Sequence, residues 1–221
     1  MTILDRNSGT FNGTSFNVTR STGSFGTGTV IVIAVFGNTV VNTPSGFTQR
    51  TSSVVNIGIY SFDKTGAGES SIAMTNSAGS GEWFVWELSA GSTWLTGLAT
   101  QNTTTGTTFT TPGATPTAGD RHILAVAGGN GGGGARTINS FTNGFVEWAD
   151  QQVTVQDWTF SAAADVDVTA NGSTAYSTTA TFSASTAAVQ GGLTLAYVNN
   201  SAAPSGELVI VRRPSRGLLL R

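Results

Sequence analysis

His122 is the single histidine of this 221-residue chain, and no cysteine is present. Any nucleophile that needed a base near neutral pH would have to recruit this one ring. It lies in RHILAVA (121–127) at an alternating position of an apolar run, with no G-x-S-x-G elbow in the chain. The expectation is a strand residue whose ring packs or meets solvent at a sheet edge. Zinc needs several His or Cys ligands, which one histidine does not supply. Calcium needs only oxygen, and ADVDVTANG (164–172) places Asp165 and Asp167 on one strand face near Asn171. No EF-hand spacing follows, so a solvated hairpin face is expected, with calcium binding at Asp165 and Asp167 left open.

Paired carboxylates beside aromatic rings are the signature of sugar-cleaving clefts. Glu82, Glu87 and Glu147 lie close to Trp83, Trp86 and Trp148. In EWFVWEL, however, Glu82 and Glu87 are an odd number of residues apart, so on a strand they point to opposite faces. The reading is tryptophans in a core and carboxylates at strand ends. A shallow glycan surface remains open, with Trp94, Trp148 and Trp158 as the candidate contacting aromatics. Residues 128–136, GGNGGGGAR, pair a glycine-rich loop with a cation. A phosphate loop requires G-x-x-x-x-G-K-[ST] and a helix behind it, whereas Ala135-Arg136-Thr137 and a strand-like segment follow here. A flexible connector is expected. No catalytic set and no cofactor emerge, and the chain is read as non-enzymatic.

The elements that would position these residues are strands. Thr, Ser and Gly together make 88 residues while charged residues are 10%, which suits Thr-rich strands joined by Gly turns. Short apolar runs such as TVIVIAVF (29–36), IGIYSF (57–62), EWFVWELS (82–89) and LTLAYV (193–198) are bounded by turn signals. The longest, VIVIAVF (30–36), is far short of the ~20 residues of a membrane-spanning helix. A weak internal repeat runs through the chain. TVIVIAVFGN (29–38) matches RHILAVAGGN (121–130), and PSGFTQRTSS (44–53) matches TNGFVEWADQ (142–151). IYSF (59–62) matches DWTF (157–160), IAMTNS (72–77) matches ATFSAS (180–185), and FVWELSAG (84–91) matches LTLAYVNN (193–200). The second copy is longer around Asn171-Gly172, which reads as an added hairpin. GGNGGGGAR stands where FGNTVVNT (36–43) stands in the first copy, and that companion has no cation. The fold expected is all-β: a two-sheet antiparallel, jelly-roll-like sandwich built from two weakly similar halves, about 16–98 and 109–200. It forms one domain over 1–211. Residues 100–120 read as a linker running into an edge strand near Phe109.

Charge is uneven. Residues 1–211 hold six cations against twelve acids, while the tail RRPSRGLLLR (212–221) holds four arginines and no acid. Such a body repels nucleic acid, and no nucleic-acid partner or membrane insertion is expected. The tail reads as an anchor in a neighbouring subunit. Leu218, Leu219 and Leu220 would be buried, and Arg212, Arg213 and Arg216 would pair with acidic groups around them.

The order of apolar strand, P-S-G-F-T turn, aromatic strand, Thr/Ser strand and W-x-x-W-E-L strand, given twice, resembles β-sandwich modules of tailed bacteriophages. These occur in minor tail proteins and other surface-exposed virion proteins. Nine arginines to one lysine suit a high-GC genome. The resemblance covers roughly residues 16–198 and implies a structural or adhesive role with no catalytic residues. Implied with it are a location on the virion exterior after synthesis in the host cytoplasm, and assembly with other virion proteins and copies of itself. An alternative is a carbohydrate- or receptor-binding adhesion module that takes a host-surface glycan.

Overall fold

Thirteen β-strands make up the computed structural model, which describes residues 3–154, 158–186 and 188–198. One sheet runs in the spatial order β1 (Ile3–Thr19), β5 (Ser71–Leu88), β2 (Val30–Gly37), β4 (Gly58–Thr65), β3 (Thr48–Val54). A second runs β6 (Trp94–Asn102), β13 (Gln190–Val198), β8 (Gly119–Asn130), β11 (Thr159–Ala170), β10 (Val146–Gln152). A small third sheet holds β7 (Thr108–Thr110), β12 (Thr179–Phe182) and β9 (Ile138–Phe141). Every ladder is antiparallel. The all-β antiparallel sandwich expected from the strand pattern is the architecture present.

The repeat is visible in the topology. Reading β6 for β1, β13 for β5, β8 for β2, β11 for β4 and β10 for β3 converts the order of the first sheet into that of the second. The ladders carry three corrections. Trp94–Asn102 pairs with β13, so the halves run from Ile3 to Leu88 and from Trp94 to Val198 rather than 16–98 and 109–200. Of the residues 100–120 read as a linker, 100–102 end β6, and 108–110 form β7, the edge strand expected near Phe109. The IYSF match was out of register by four residues, because Ile33 faces Phe62 where its equivalent Ala125 faces Ala164. The extra length near Asn171 is no hairpin; β8 and β11 are each four residues longer than β2 and β4, three of them at this end, where 119–121 pair with 168–170.

Alternation along the central strands builds a core on each side of each sheet. Phe84, Trp86 and Leu88 of β5 meet Leu124, Val126, Leu193, Leu195 and Tyr197 of the second sheet in one buried cluster between the sheets. Trp83 and Val85 face the other way, into a second cluster with Ile31, Ile33, Phe62, Ile72 and Met74. That outer cluster is covered by the far ends of β1 and β5, which continue past the sheet and pair with each other over 15–19 and 71–75. In the second half the same cover is the separate sheet β7-β12-β9, over Ala127, Phe160 and Ala162. Fully burying a side chain of this size stabilises by roughly 1.5–3 kcal/mol, so these clusters dominate cohesion.

Polar bonds across the inter-sheet core select one docking of the halves. Arg6 of β1 forks onto Asp165 of β11, Nε to Oδ2 at 2.7 Å and Nη2 to Oδ1 at 2.7 Å, and Trp86 Nε1 donates to Asp165 Oδ2 at 3.0 Å. In the other direction Tyr197 Oη donates to Asp63 Oδ2 at 2.9 Å, and Arg50 Nε donates to Oδ1 at 2.8 Å. Asp63 and Asp165 are repeat equivalents, facing Val32 and Leu124 across their ladders. Each accepts from an aromatic donor of the opposite sheet.

Arg6→Ala leaves the nearly buried Asp165 carboxylate with one donor. Arg6 itself is 37% exposed, so solvent already screens part of the pair. The expected cost is roughly 1–3 kcal/mol. Asp165→Asn added to Arg6→Ala is expected to cost less than the two single changes summed, as read by urea denaturation. Additive costs would mean that the pair is not coupled.

Candidate functional site

The residues singled out for chemistry are distributed through the fold rather than gathered. His122 is fully buried, its Nδ1 2.5 Å from Asp167 Oδ1, on a face that also carries Tyr197 across the ladder. Its Nε2 is buried without a hydrogen-bond partner among the described residues. Packing, not the sheet edge, is its environment. Asp165 is spent on Arg6 and Trp86, so the solvated hairpin face expected for both aspartates holds only for Asp167, whose side chain is 53% exposed. Asn171 Oδ1 accepts from the Ser173 and Thr174 amides and shapes a turn. Among the described residues no group of three His, Cys, Asp or Glu side chains is placed to hold a metal ion.

Glu82 and Glu87 do point to opposite faces, and both are buried rather than set at open strand ends. Glu87 Oε1 accepts from the Gly26 amide at 2.6 Å and Thr29 Oγ1 at 2.8 Å, and Oε2 accepts from Arg20 Nε at 2.6 Å. Glu82 crosses to the second sheet, accepting from Thr159 Oγ1 at 2.9 Å, Ser161 Oγ at 3.2 Å and the Val153 amide at 3.2 Å. Burial pushes its carboxyl up to about 8, and those three hydrogen bonds only partly oppose it. On the edge strand β10, burial and the nearby Asp150 charge push Glu147 up to about 7.

The glycine loop 131–136 turns through Gly132 and Gly133, whose φ of 58° and 89° lie in the left-handed region that glycine favours. Arg136 does not face an anion. It donates to the carbonyls of Gly131 and Gly134 within the loop and to that of Ser185 at 2.8 Å. The cation is the loop's own staple. The anchor residues Arg212, Arg213, Arg216, Leu218, Leu219 and Leu220 lie outside the described residues.

The three candidate aromatics separate. Trp148 is partly buried and packs edge-on to Trp86 (centroids 5.3 Å, 80°) and to Phe84 (6.0 Å, 89°). Trp158 is half-buried with φ of 49°, and its carbonyl accepts from the Gly131 amide. Trp94 opens the second half at the start of β6. It packs edge-on against Tyr197 (5.5 Å, 72°) and lines a groove of about 450 Å³ with Thr48, Arg50, Asp63, Ser92 and Thr93.

A β-bulge on β3 aims Arg50 into that groove. The register steps from Gln49 opposite Phe62 to Thr51 opposite Ser61, leaving Arg50 as the extra residue. Asp63 then holds its Nε, and its Cζ lies 5.5 Å from the Trp94 ring centroid. The second half has the same bulge on β10 between Glu147 and Ala149. There the extra residue is Trp148, whose partly buried ring packs against the inter-sheet cluster. An arginine in place of that ring leaves the first-half groove lined by polar groups. Ser92 completes it: the residue is 3% exposed and its Oγ has no hydrogen-bond partner among the described residues.

A second cleft, about 610 Å³, lies where Ile57 and Val189 meet Thr103, Thr105 and Thr159. Asn38 and Asn130, the last residues of the first matched pair of segments, both line it. It sits between equivalent turns of the two halves. Neither His122 nor Glu147 lines either cleft. Sequence reasoning missed Arg50, Asp63 and Ser92. The signal for Asp63 was in the repeat, where SFDKT aligns with AADVD once the register is corrected. Compared with protein-family models, curated proteins and solved structures, the chain has no match.

Proposed function

We propose that the protein is a non-enzymatic β-sandwich component of a bacteriophage virion exterior, a minor tail or capsid decoration protein assembled through its terminal segments. The observation that carries this reading is the use made of the buried acids. Asp63, Asp165 and Glu82 each join the two sheets, and Glu87 ties β5 to the 20–29 segment. The carboxylates buried between and against the sheets are thus committed to cohesion. The outward face that remains is rich in hydroxyls and amides and low in charge. Partners in this reading are other virion proteins and further copies of the chain.

The test is incorporation. Mass spectrometry of purified particles of the phage encoding this chain should find it, and gold-labelled antibody should mark the particle surface. A version ending at Val211 is expected to fold like the full chain and to be missing from particles. Its normal incorporation would overturn anchoring through the tail, and absence of the full chain from particles would overturn the virion reading. A second reading, an adhesion module for a host-surface glycan, is favoured by the half-buried Trp94 in its polar groove.

A further inference from the structure

The groove beside Trp94 holds donors that the fold leaves unused. Arg50 spends Nε on Asp63, while its Nη1 and Nη2 make no hydrogen bond among the described residues. The side chain is 29% exposed, enough to be reached from outside. Ser92 Oγ is buried and unpaired on the groove wall, which costs stability unless something meets it. The remaining charges are satisfied: Asp63 by Arg50 and Tyr197, and Lys64 by Glu69. A site of this kind asks for acceptor oxygens beside an apolar face that can rest on an indole.

We propose that this groove binds a saccharide. One pyranose ring lies beside Trp94 and the Arg50 guanidinium that sits 5.5 Å over its indole, two neighbouring oxygens accept from the Arg50 fork, and a further oxygen meets Ser92 Oγ. The two neighbouring oxygens are either vicinal hydroxyls or a sugar carboxylate; both match the spacing of paired Nη donors. The bulge makes the site, since it directs Arg50 into the groove while Asp63, pinned from behind by Tyr197, fixes the plane of the guanidinium. The inference rests on the adhesion reading and not on the virion reading.

An array of immobilised neutral hexosides, uronic acids and sialosides, probed with the full chain and three variants, tests it. Trp94→Ala is expected to lower binding about tenfold or more. Ser92→Ala is expected to weaken it about three- to tenfold while leaving the melting temperature unchanged or higher, since it removes an unpaired hydroxyl. Arg50→Lys keeps the charge and loses the fork, so it is expected to weaken binding more than about tenfold, and a smaller loss would overturn recognition by the paired Nη donors. Preference for uronic acids and sialosides over neutral hexosides assigns the fork to a carboxylate; the reverse assigns it to vicinal hydroxyls. The proposal is overturned if the full chain binds no sugar above the Trp94→Ala level, or if Ser92→Ala binds as tightly as the parent. Particle incorporation is measured separately, so failure here leaves the virion reading standing.

Discussion

Glu82→Gln is expected to stabilise the protein at about pH 8 by on the order of 4 kcal/mol and to leave it nearly unchanged at about pH 5. The unfolded carboxyl releases its proton near the model value of 4.5, whereas burial between the sheets holds the folded one protonated up to about 8. Between those values unfolding releases a proton, so rising pH favours the unfolded chain by about 1.4 kcal/mol per unit. Below 4.5 both states are protonated and above 8 both are ionised, and the slope vanishes. Glutamine is close in shape, carries no charge at any pH, and can still accept from the Val153 amide and exchange hydrogen bonds with Thr159 and Ser161. Urea titrations at several pH values, read by tryptophan fluorescence, supply the comparison. Glu147 and Asp150 are also raised by burial and tilt stability in the same direction. They are present in both proteins, so the difference curve isolates Glu82. Equal pH slopes for parent and variant would show that Glu82 is ionised within the folded core.

The second large effect is at Trp86. Trp86→Ala is expected to cost about 3–5 kcal/mol, the range for deleting a fully buried aromatic side chain. Its ring is fully buried in the cluster shared by both sheets, meets Trp148 edge-on, and donates from Nε1 to Asp165. Removing it opens a void between the halves and takes one donor from a carboxylate that water barely reaches. Trp86→Phe keeps most of the volume and loses the donor, so a cost of about 1–2 kcal/mol is expected. If Trp86→Ala costs less than about 1 kcal/mol, the two sheets do not share a tightly packed core. A change in denaturant slope alongside the midpoint would show the halves unfolding separately.

Much of the architecture was legible because strand periodicity is a local property. Side chains alternate across a strand, so EWFVWEL alone places Trp83 and Val85 opposite Phe84, Trp86 and Leu88, and separates Glu82 from Glu87. The repeat was legible for a related reason: β2 and β8 are central strands with both faces covered, and both read as unbroken apolar runs. Edge strands escaped in part, although FVEWA (145–149) marks β10 and FNVTR (16–20) the end of β1. β1 and β6 line the margins of their sheets, where polar Thr, Ser and Asn residues suffice, and hydrogen bonding to a neighbour rather than apolar patterning makes them strands.

The site followed the same division. Trp94 was recognised by residue type, but type could not show that it shares a groove with Arg50, while Trp148, the bulge residue of β10, packs against Trp86 and Phe84. A bulge is a mismatch between two strands, and its position is decided by the partner. The same holds for Arg6 and Asp165, which meet across 159 residues of chain, and for Arg136, whose acceptors belong to the loop it closes. Sequence alone determined that this chain is a doubled antiparallel β-protein with aromatic strands and a polar, weakly charged exterior, because composition and alternation act residue by residue. Tertiary structure alone decided which charges are consumed in the core and which donors still face a groove. Those outcomes depend on register and on how two sheets stack, and neither is a property of any segment taken singly.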